Sequence, residues 1–317
     1  MSLSDLFAAS QRISLVASEE ARRLGHPEVD VEHVLLALLL TDGRAGAVLR
    51  SCGVMLAAAR TAVETEHVEL VARLGVTSPR VPPQELREGA GLDWSERALG
   101  VMRGIKDWSD DLGLLNALLD EPSGFVGRVV ARLGVEEDVL RAGLDDGVDP
   151  PPVDPLSEDL SWVSHTHIGF VPAAPQEVWT LVADPLRRPE WDILAISVEA
   201  VGEGRWRVET TSGRPERRRP AAEDPPTTMD LVELERHPGS HVEWDTSWQG
   251  RRGRTTRQRL RVVVLPTTGG TRVVLRLASR QRRGWRGVLP RRLVRVQRLF
   301  MRQVLISLAG GLSRALR

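Results

Sequence analysis

The sequence predicts two domains: an all-α domain built as a double helical repeat, followed by an α+β domain in which a curved antiparallel sheet wraps around a long C-terminal helix. Three observations carry this reading. Residues 1–158 hold 15 Lys+Arg against 27 Asp+Glu and residues 159–317 hold 28 against 16, so a formal net charge of +0 conceals two halves of opposite sign. Between them runs "DDGVDPPPVDPLSED" (145–159), proline-rich and acidic, which reads as a linker. Apolar residues follow helical spacing before that segment and alternate after it. A chain of 317 residues can bury two cores of ordinary size. The expected boundaries are 1–145, a linker over 146–159, and 160–317, and charges of opposite sign would let the two domains attract at low salt.

The first domain reads as helix after helix. Leu6, Ile13, Val16, Ala17 and Leu24 keep helical spacing, then the run Val34–Leu40, then Val48 and Leu49, then Leu56, Ala59 and Val63, with Gly25, Gly43 and Gly53 as stops. After the break "TSPRVPPQELREGAG" (77–91) the order resumes. "LLALLL" answers to "LLNALLD", and "AGAVLRSCGVMLAAARTAV" answers to "VGRVVARLGVEEDVLRAGL". These are two copies of one unit of about 60 residues, spanning roughly 4–75 and 92–145.

The second domain opens with an alternating strand, "SWVSHTHIGFV", and a helical pair, "APQEVWTLVADPLRRPEWD". The segments "ILAISVEAV", "RWRVET", "TMDLVELERH", "SHVEWDTSW", "TRQRLRVVVL" and "TRVVLRLASR" follow as strands, "GRPERRRPAAEDPP" (213–226) as a polar loop, and a long helix begins near Val288. Strand, two short helices, antiparallel strands and a closing helix is the order of a helix-grip fold.

Several chemistries are excluded or unsupported. Lys106 is the sole lysine and sits in "RGIKDW", so there is no GxxxxGK[ST] phosphate loop and no recognisable ATPase. Cys52 is the one cysteine, which rules out an intrachain disulfide and a cysteine-based zinc site and fits a reducing compartment. The chain has no tyrosine and no GxSxG motif. Asp184, Glu190, Asp192 and His241 can do acid–base work only if the fold positions them. No cofactor is implied. The run Val34–Leu40 is far shorter than the roughly 20 residues a bilayer requires, and no segment reads as an export signal, so a cytoplasmic protein is expected.

"LVASEEARRLGHPEVDVEHVLLALL" resembles the repeat of the N-terminal domain of the Clp (Hsp100) ATPases, of the form A-x-E-E-A-x-x-L-x-H-x-x-[IV]-x-[TV]-E-H-[LIV]-L-L-[GA]-L. The resemblance covers residues 1–145. It implies a helical module that docks adaptors and substrate proteins for an unfoldase, with phosphorylated arginine met in some members by the glutamate of the E-H pair, here Glu32. The second copy has Leu112 and Gly113 where the first has Glu32 and His33, which implies that one of the two family sites is gone. Val178, Trp179, Val182, Asp184, Pro185, Pro189 and Trp191, in the pattern VWxxVxDPxxxPxW, resemble the opening of the START-like, polyketide cyclase/dehydrase superfamily, over about 160–316. That resemblance implies a cavity between the sheet and the last helix, holding an apolar small molecule.

Glu32 and His33 are the expected partner contacts, with Glu32 at the exposed start of its helix. Acidic groups there also satisfy free N–H groups and oppose the helix dipole. The spacing His26…Glu32-His33 lacks the i, i+4 histidine pair of an HExxH helix, so no metal is assigned. His165 and His167 share one strand face and are read as exposed, with Leu160, Trp162, Ile168 and Phe170 on the core face. Trp179, Trp206, Trp244, Trp248 and Phe300 are the expected cavity residues, since tryptophan offers a large apolar surface and one N–H. "RQRRGWRGVLPRRLVRVQRLFMR" carries nine arginines; Leu289, Leu293, Val296, Phe300, Val304 and Leu308 make the expected apolar stripe, opposite Arg291, Arg295, Arg298 and Arg302. The reading is a non-enzymatic two-module binding protein. Its partner is a Clp unfoldase, client, adaptor or Clp-directed compound, and its ligand an apolar small molecule. A cyclase or dehydratase with a Clp-like tether is the alternative. Attachment of the arginine helix to nucleic acid or an anionic membrane ranks last.

Overall fold

In the computed structural model the described residues are 3–73, 75, 92–105, 111–146, 162–211, 227–250, 254–280 and 291–317. The break at 77–91, the linker past residue 146, the loop 213–226, Lys106, Leu160, Trp285, Leu289, and the side chains of Arg291, Leu293 and Arg295 lie outside them. The chain divides into two compact units, Met1–Pro152 and Val153–Arg317.

The first unit is helical: α1 (Leu3–Leu24), α2 (Val31–Leu39), α3 (Arg44–Ser51), α4 (Leu56–Arg73), α5 (Glu96–Gly104), α6 (Leu112–Leu119), α7 (Phe125–Arg132) and α8 (Glu137–Asp146), with two short strands, β1 (Glu28–Val29) and β2 (Asp93–Trp94). Every residue of α2 is buried, because α1 and α3 to α7 all pack on it. This is why its sequence is apolar all round instead of amphipathic. The sequence repeat becomes a structural one, α2-α3-α4 answering to α6-α7-α8. The copies are joined by a parallel pairing of β1 with β2, Glu28 opposite Asp93 and Val29 opposite Trp94. Asp30 adds a polar tie: it caps α2 by accepting from Val31 N–H, and it accepts from Ser95 Oγ and Arg97 of the second copy. Asp111 returns the favour across 66 residues. It accepts from Ala45 N–H at 3.0 Å, serving a helix whose own N-cap, Gly43, has no side chain to do so.

The second unit is a seven-stranded antiparallel sheet in the order β3-β9-β8-β7-β6-β5-β4. Its strands are β3 (Trp162–Val171), β4 (Ala195–Gly202), β5 (Arg205–Thr210), β6 (Thr227–His237), β7 (His241–Gly250), β8 (Arg254–Thr267) and β9 (Gly270–Arg280). Helix α9 (Pro175–Val182) and a 3-10 turn, Pro185–Glu190, follow β3, and α10 (Arg291–Ala315) crosses β3 and β9. Chain order and packing are those of the helix-grip fold.

Two face assignments are corrected. His165 and His167 are on the side of α10, not outward: they stand opposite Leu277 and Leu275 of β9, and a Cβ on Gly169 would meet Ala309 of α10 at 2.9 Å. Directly opposed residues of an antiparallel pair share a face. Trp162 belongs to the other face, beneath the guanidinium of Arg259 at 4.6 Å. The buried stripe of α10 is Met301, Leu305, Leu308 and Leu312, while Val296 and Phe300 are each 63% exposed. Both stripes have helical spacing, so periodicity does not choose between them. Close approach does: a Cβ on Gly311 would lie 1.9 Å from the carbonyl oxygen of Trp191, so only this rotation lets the helix seat.

Candidate functional site

A cleft of about 170 Å³ opens between the concave face of the sheet and α10. Its floor is Thr246 and Trp248 of β7, Gln258 and Leu260 of β8, and Leu277 of β9; β5 and β6 add Thr210 and Met229. Phe300, Val304 and Leu308 of α10 form the roof, and Arg188, Asp192 and Leu194 the side wall. The volume is close to the roughly 150 Å³ of an apolar protein cavity that takes up benzene, and below the about 300–1,000 Å³ of sites for drug-sized ligands. It suits one ring or a short chain.

One polar feature stands out in the wall. Arg188 donates from Nε to Asp192 at 3.0 Å, with both side chains under a tenth exposed, and its guanidinium lies 5.6 Å from the ring centroid of Trp191. Asp192 also accepts from Leu194 N–H. A buried ion pair is tolerated only when its hydrogen-bonding capacity is largely used, and here one carboxylate oxygen takes Arg188 and the other the backbone. No histidine is among the lining residues.

Of the five expected cavity residues, Trp248 and Phe300 line the cleft. Trp206 and Trp244 meet edge to face at 5.6 Å and pack with Val208 in the core, and Trp179 is buried in the same core from α9. None of these three is among the lining residues. Thr210, Thr246, Gln258, Arg188 and Asp192 line the cleft without having been singled out as cavity residues. Thr246 shares a strand face with Trp248, but Arg188 and Asp192 come from in and just after a 3-10 turn that no periodicity marks. Asp184, Glu190 and His241 are elsewhere: Asp184 caps the 3-10 turn, Glu190 pairs with Arg187, and His241 lies in a hairpin.

In the first unit Glu32 and His33 are not at an exposed helix start; they are 1% and 0% exposed. His33 accepts the backbone N–H of Asp30 through Nδ1 at 2.8 Å, completing a capping box in which histidine takes the place of glutamate. Its neutral ring then carries the proton on Nε2, which donates to His26 Nδ1 at 2.8 Å. Burial pushes the His33 pKa down to about 4, and burial followed by the charge of His67 lowers that of His26. His67, from α4, lies 2.8 Å from Glu32 Oε1 and leans on His26 and Phe125. Burial, the largest influence on Glu32, opposes its ionisation, but the hydrogen bond from His67 leads the opposing influences and the carboxyl is held below its ordinary value. Glu32 Oε2 is buried without a hydrogen-bond partner.

His26, Glu32 and His33 bring ligand atoms within 4.8 Å of one another. The hydrogen bonding does not suit a cation, however. A metal-bound histidine turns its second nitrogen outward as a donor, whereas the second nitrogen of His33 faces the Asp30 N–H and must accept. His67, which the sequence reading did not single out, lies 35 positions from Glu32 on another helix, and only the fold brings them together.

Residues 9–84 match the family model described as the Clp repeat (R) N-terminal domain, and residues 166–311 match the one described as polyketide cyclase/dehydrase and lipid transport. The first match spans one of the two repeats. No curated protein matches the chain. Similar solved structures include the di-domain ARO/CYC StfQ from the steffimycin biosynthetic pathway (16% identity, TM-score 0.35, 65% of this chain and 59% of that one). Others are a START superfamily protein from Mycobacterium smegmatis (14% identity, TM-score 0.34, 49% and 96%) and a protein from Deinococcus radiodurans (16% identity, TM-score 0.31, 49% and 99%). Among the described residues no single helix is long and apolar enough to cross a membrane.

Proposed function

From a chain whose first part matches a Clp repeat model and whose second matches a polyketide cyclase and lipid transport model, we propose a non-enzymatic, two-module binding protein. The first unit engages a protein or peptide partner of the Clp system, as unfoldase, client or adaptor. The second binds a small, mainly apolar molecule. The observation that carries this reading is the cleft: a mainly apolar lining with a single ion pair in its wall. Arg188 uses Nε on Asp192, so its remaining N–H groups favour a ligand with a carbonyl or carboxylate at one end. Native mass spectrometry of protein purified from its own host, with identification of any retained compound, tests the reading. Leu194→Trp, which fills the side wall from a position 39% exposed, is expected to cut uptake by about tenfold, or about 1.4 kcal/mol. Uptake of an apolar aromatic probe that ignores this change sinks the proposal.

For the protein partner, Glu32 stays the candidate contact, in altered form. Oε2 is buried, so a cationic side chain must displace a covering group to reach the carboxylate, and His67, about a third exposed and bonded to Oε1, is the group we expect to move. Glu32→Gln should abolish capture of an arginine-bearing peptide while the helical circular dichroism persists.

The cyclase or dehydratase alternative rests on Asp192, the one carboxylate among the lining residues. It requires turnover of a polyketide-like substrate that Asp192→Asn removes; ligand retention without turnover favours binding.

A further inference from the structure

On the opposite face of the sheet from the cleft, the hairpin joining β6 to β7 gathers a second set of ligand-type side chains. Period-two alternation would keep Leu231, Glu233, Glu235 and His237 on one face. A bulge between Glu233 and Glu235 breaks that register, so Glu235 stands opposite Glu243 and His237 opposite His241, on the outward side. The turn closes through Gly239, whose φ of 73° suits glycine, with Ser240 N–H donating to the His237 carbonyl at 3.0 Å.

The atoms converge. His237 Nε2 is 2.9 Å and His241 Nε2 is 3.5 Å from the same oxygen, Glu235 Oε1, and the two rings stack with centroids 4.3 Å apart. All three ligand atoms lie within 4.8 Å of one another. His241 Nε2 is shielded from solvent and has no hydrogen-bond partner. The surroundings hold these groups by their other ends. Ser240 Oγ is 3.3 Å from His241 Nδ1, and Arg261 Nη1 reaches Glu235 Oε2 and Glu243 Oε2 at 3.4 Å each. Arg261 is thus shared between two carboxylates, and Oε1 of Glu235 is the oxygen turned toward the two rings. The contrast with His33 is chemical: the second nitrogen of His241 faces a hydroxyl that can accept from it, whereas that of His33 faces an N–H that can only donate.

We propose that Glu235, His237 and His241 form a binding site for a borderline divalent transition-metal ion such as Zn²⁺, with water completing a tetrahedral set. Two nitrogens and one carboxylate oxygen is a donor set such ions accept. One ion would replace an arrangement in which a single carboxylate oxygen must serve two imidazoles. Small ring rotations suffice, because His237 is 59% exposed at a hairpin end.

The test uses the full chain and Zn²⁺ alone, by competition against a chromophoric zinc chelator at pH 7.5, and then Co²⁺ with its visible ligand-field absorption as a second readout. One ion per chain is expected to bind with micromolar affinity. His237→Ala, His241→Ala and Glu235→Gln should each weaken it by about tenfold or more, the loss that even outer-sphere partners produce. An intense tetrahedral cobalt spectrum should appear in the parent chain and vanish in His241→Ala. Binding retained at full strength in the double variant His237→Ala/His241→Ala, or no binding at millimolar zinc, overturns the proposal.

Discussion

His33 shows how one residue can look like a contact in sequence and serve as a strut in the fold. Its ring ties the first turn of α2 to His26 while buried, and that requires it to be neutral. The sign of the pH effect follows. The folded pKa of about 4 is below the ordinary 6.5, so between these values the unfolded chain binds more protons than the folded one, and stability falls as pH falls. The full difference corresponds to about 3 kcal/mol. His26, also lowered, acts in the same window; Asp30 and Glu32, both lowered carboxyls, add their loss at still lower pH. The thermal midpoint of the helical unit should therefore drop between pH 7 and pH 5. In His33→Gln, whose amide can accept from Asp30 N–H and donate to His26, most of that slope should disappear; an unchanged slope would refute the assignment. What was legible here was the Glu-His pair itself and the use of acidic groups at the start of α2 to satisfy free N–H groups. Burial of Glu32 beneath His67 was not, because it needs α4 folded back onto α2.

Helix α10 contains two adjacent glycines whose surroundings differ. "AGG" at 309–311 looks like a weak point in a 25-residue helix, since glycine costs about 1 kcal/mol against alanine in a helix interior. The two glycines have opposite meanings. A Cβ at Gly310 meets nothing nearer than the far end of Arg314 at 3.5 Å, so Gly310→Ala should stabilise by about 0.5–1 kcal/mol. A Cβ at Gly311 would sit 1.9 Å from backbone oxygen, so Gly311→Ala should destabilise by about 1–3 kcal/mol net or more, as the packing clash exceeds the propensity gain. Paired thermal melts check both signs. The existence and type of this helix could be read from sequence, but its rotation could not: Leu293/Val296/Phe300 and Met301/Leu305/Leu312 are equally regular, and a contact with Trp191, more than a hundred residues earlier, selects between them. The β6 bulge is the same lesson in a strand. One extra residue turns Glu235 and His237 to the outer face, against the alternation that reads them inward.

At the scale of the whole chain, the two units have separate apolar cores, one drawn from residues up to Leu144 and the other from Val163 onward. Calorimetry of the full chain should show two transitions, of which only the first moves strongly between pH 7 and pH 5. A chain of residues 153–317 alone should keep the second transition and the uptake of an apolar probe. A single transition would mean that the units fold as one.

The sequence by itself determined the order of elements, the internal repeat, the helix-grip class of the second unit and the absence of a phosphate loop. Each of these depends on local spacing or on a residue type being present at all. The tertiary structure decided which groups meet. It decided that Glu32 is buried, that His165 and His167 face α10, that Arg188 and Asp192 wall the cleft while three of five expected aromatics fill the core, and that a bulge assembles Glu235, His237 and His241. These depend on helix rotation, strand register and contacts between distant segments, where several arrangements satisfy the same periodicity and only close packing chooses among them.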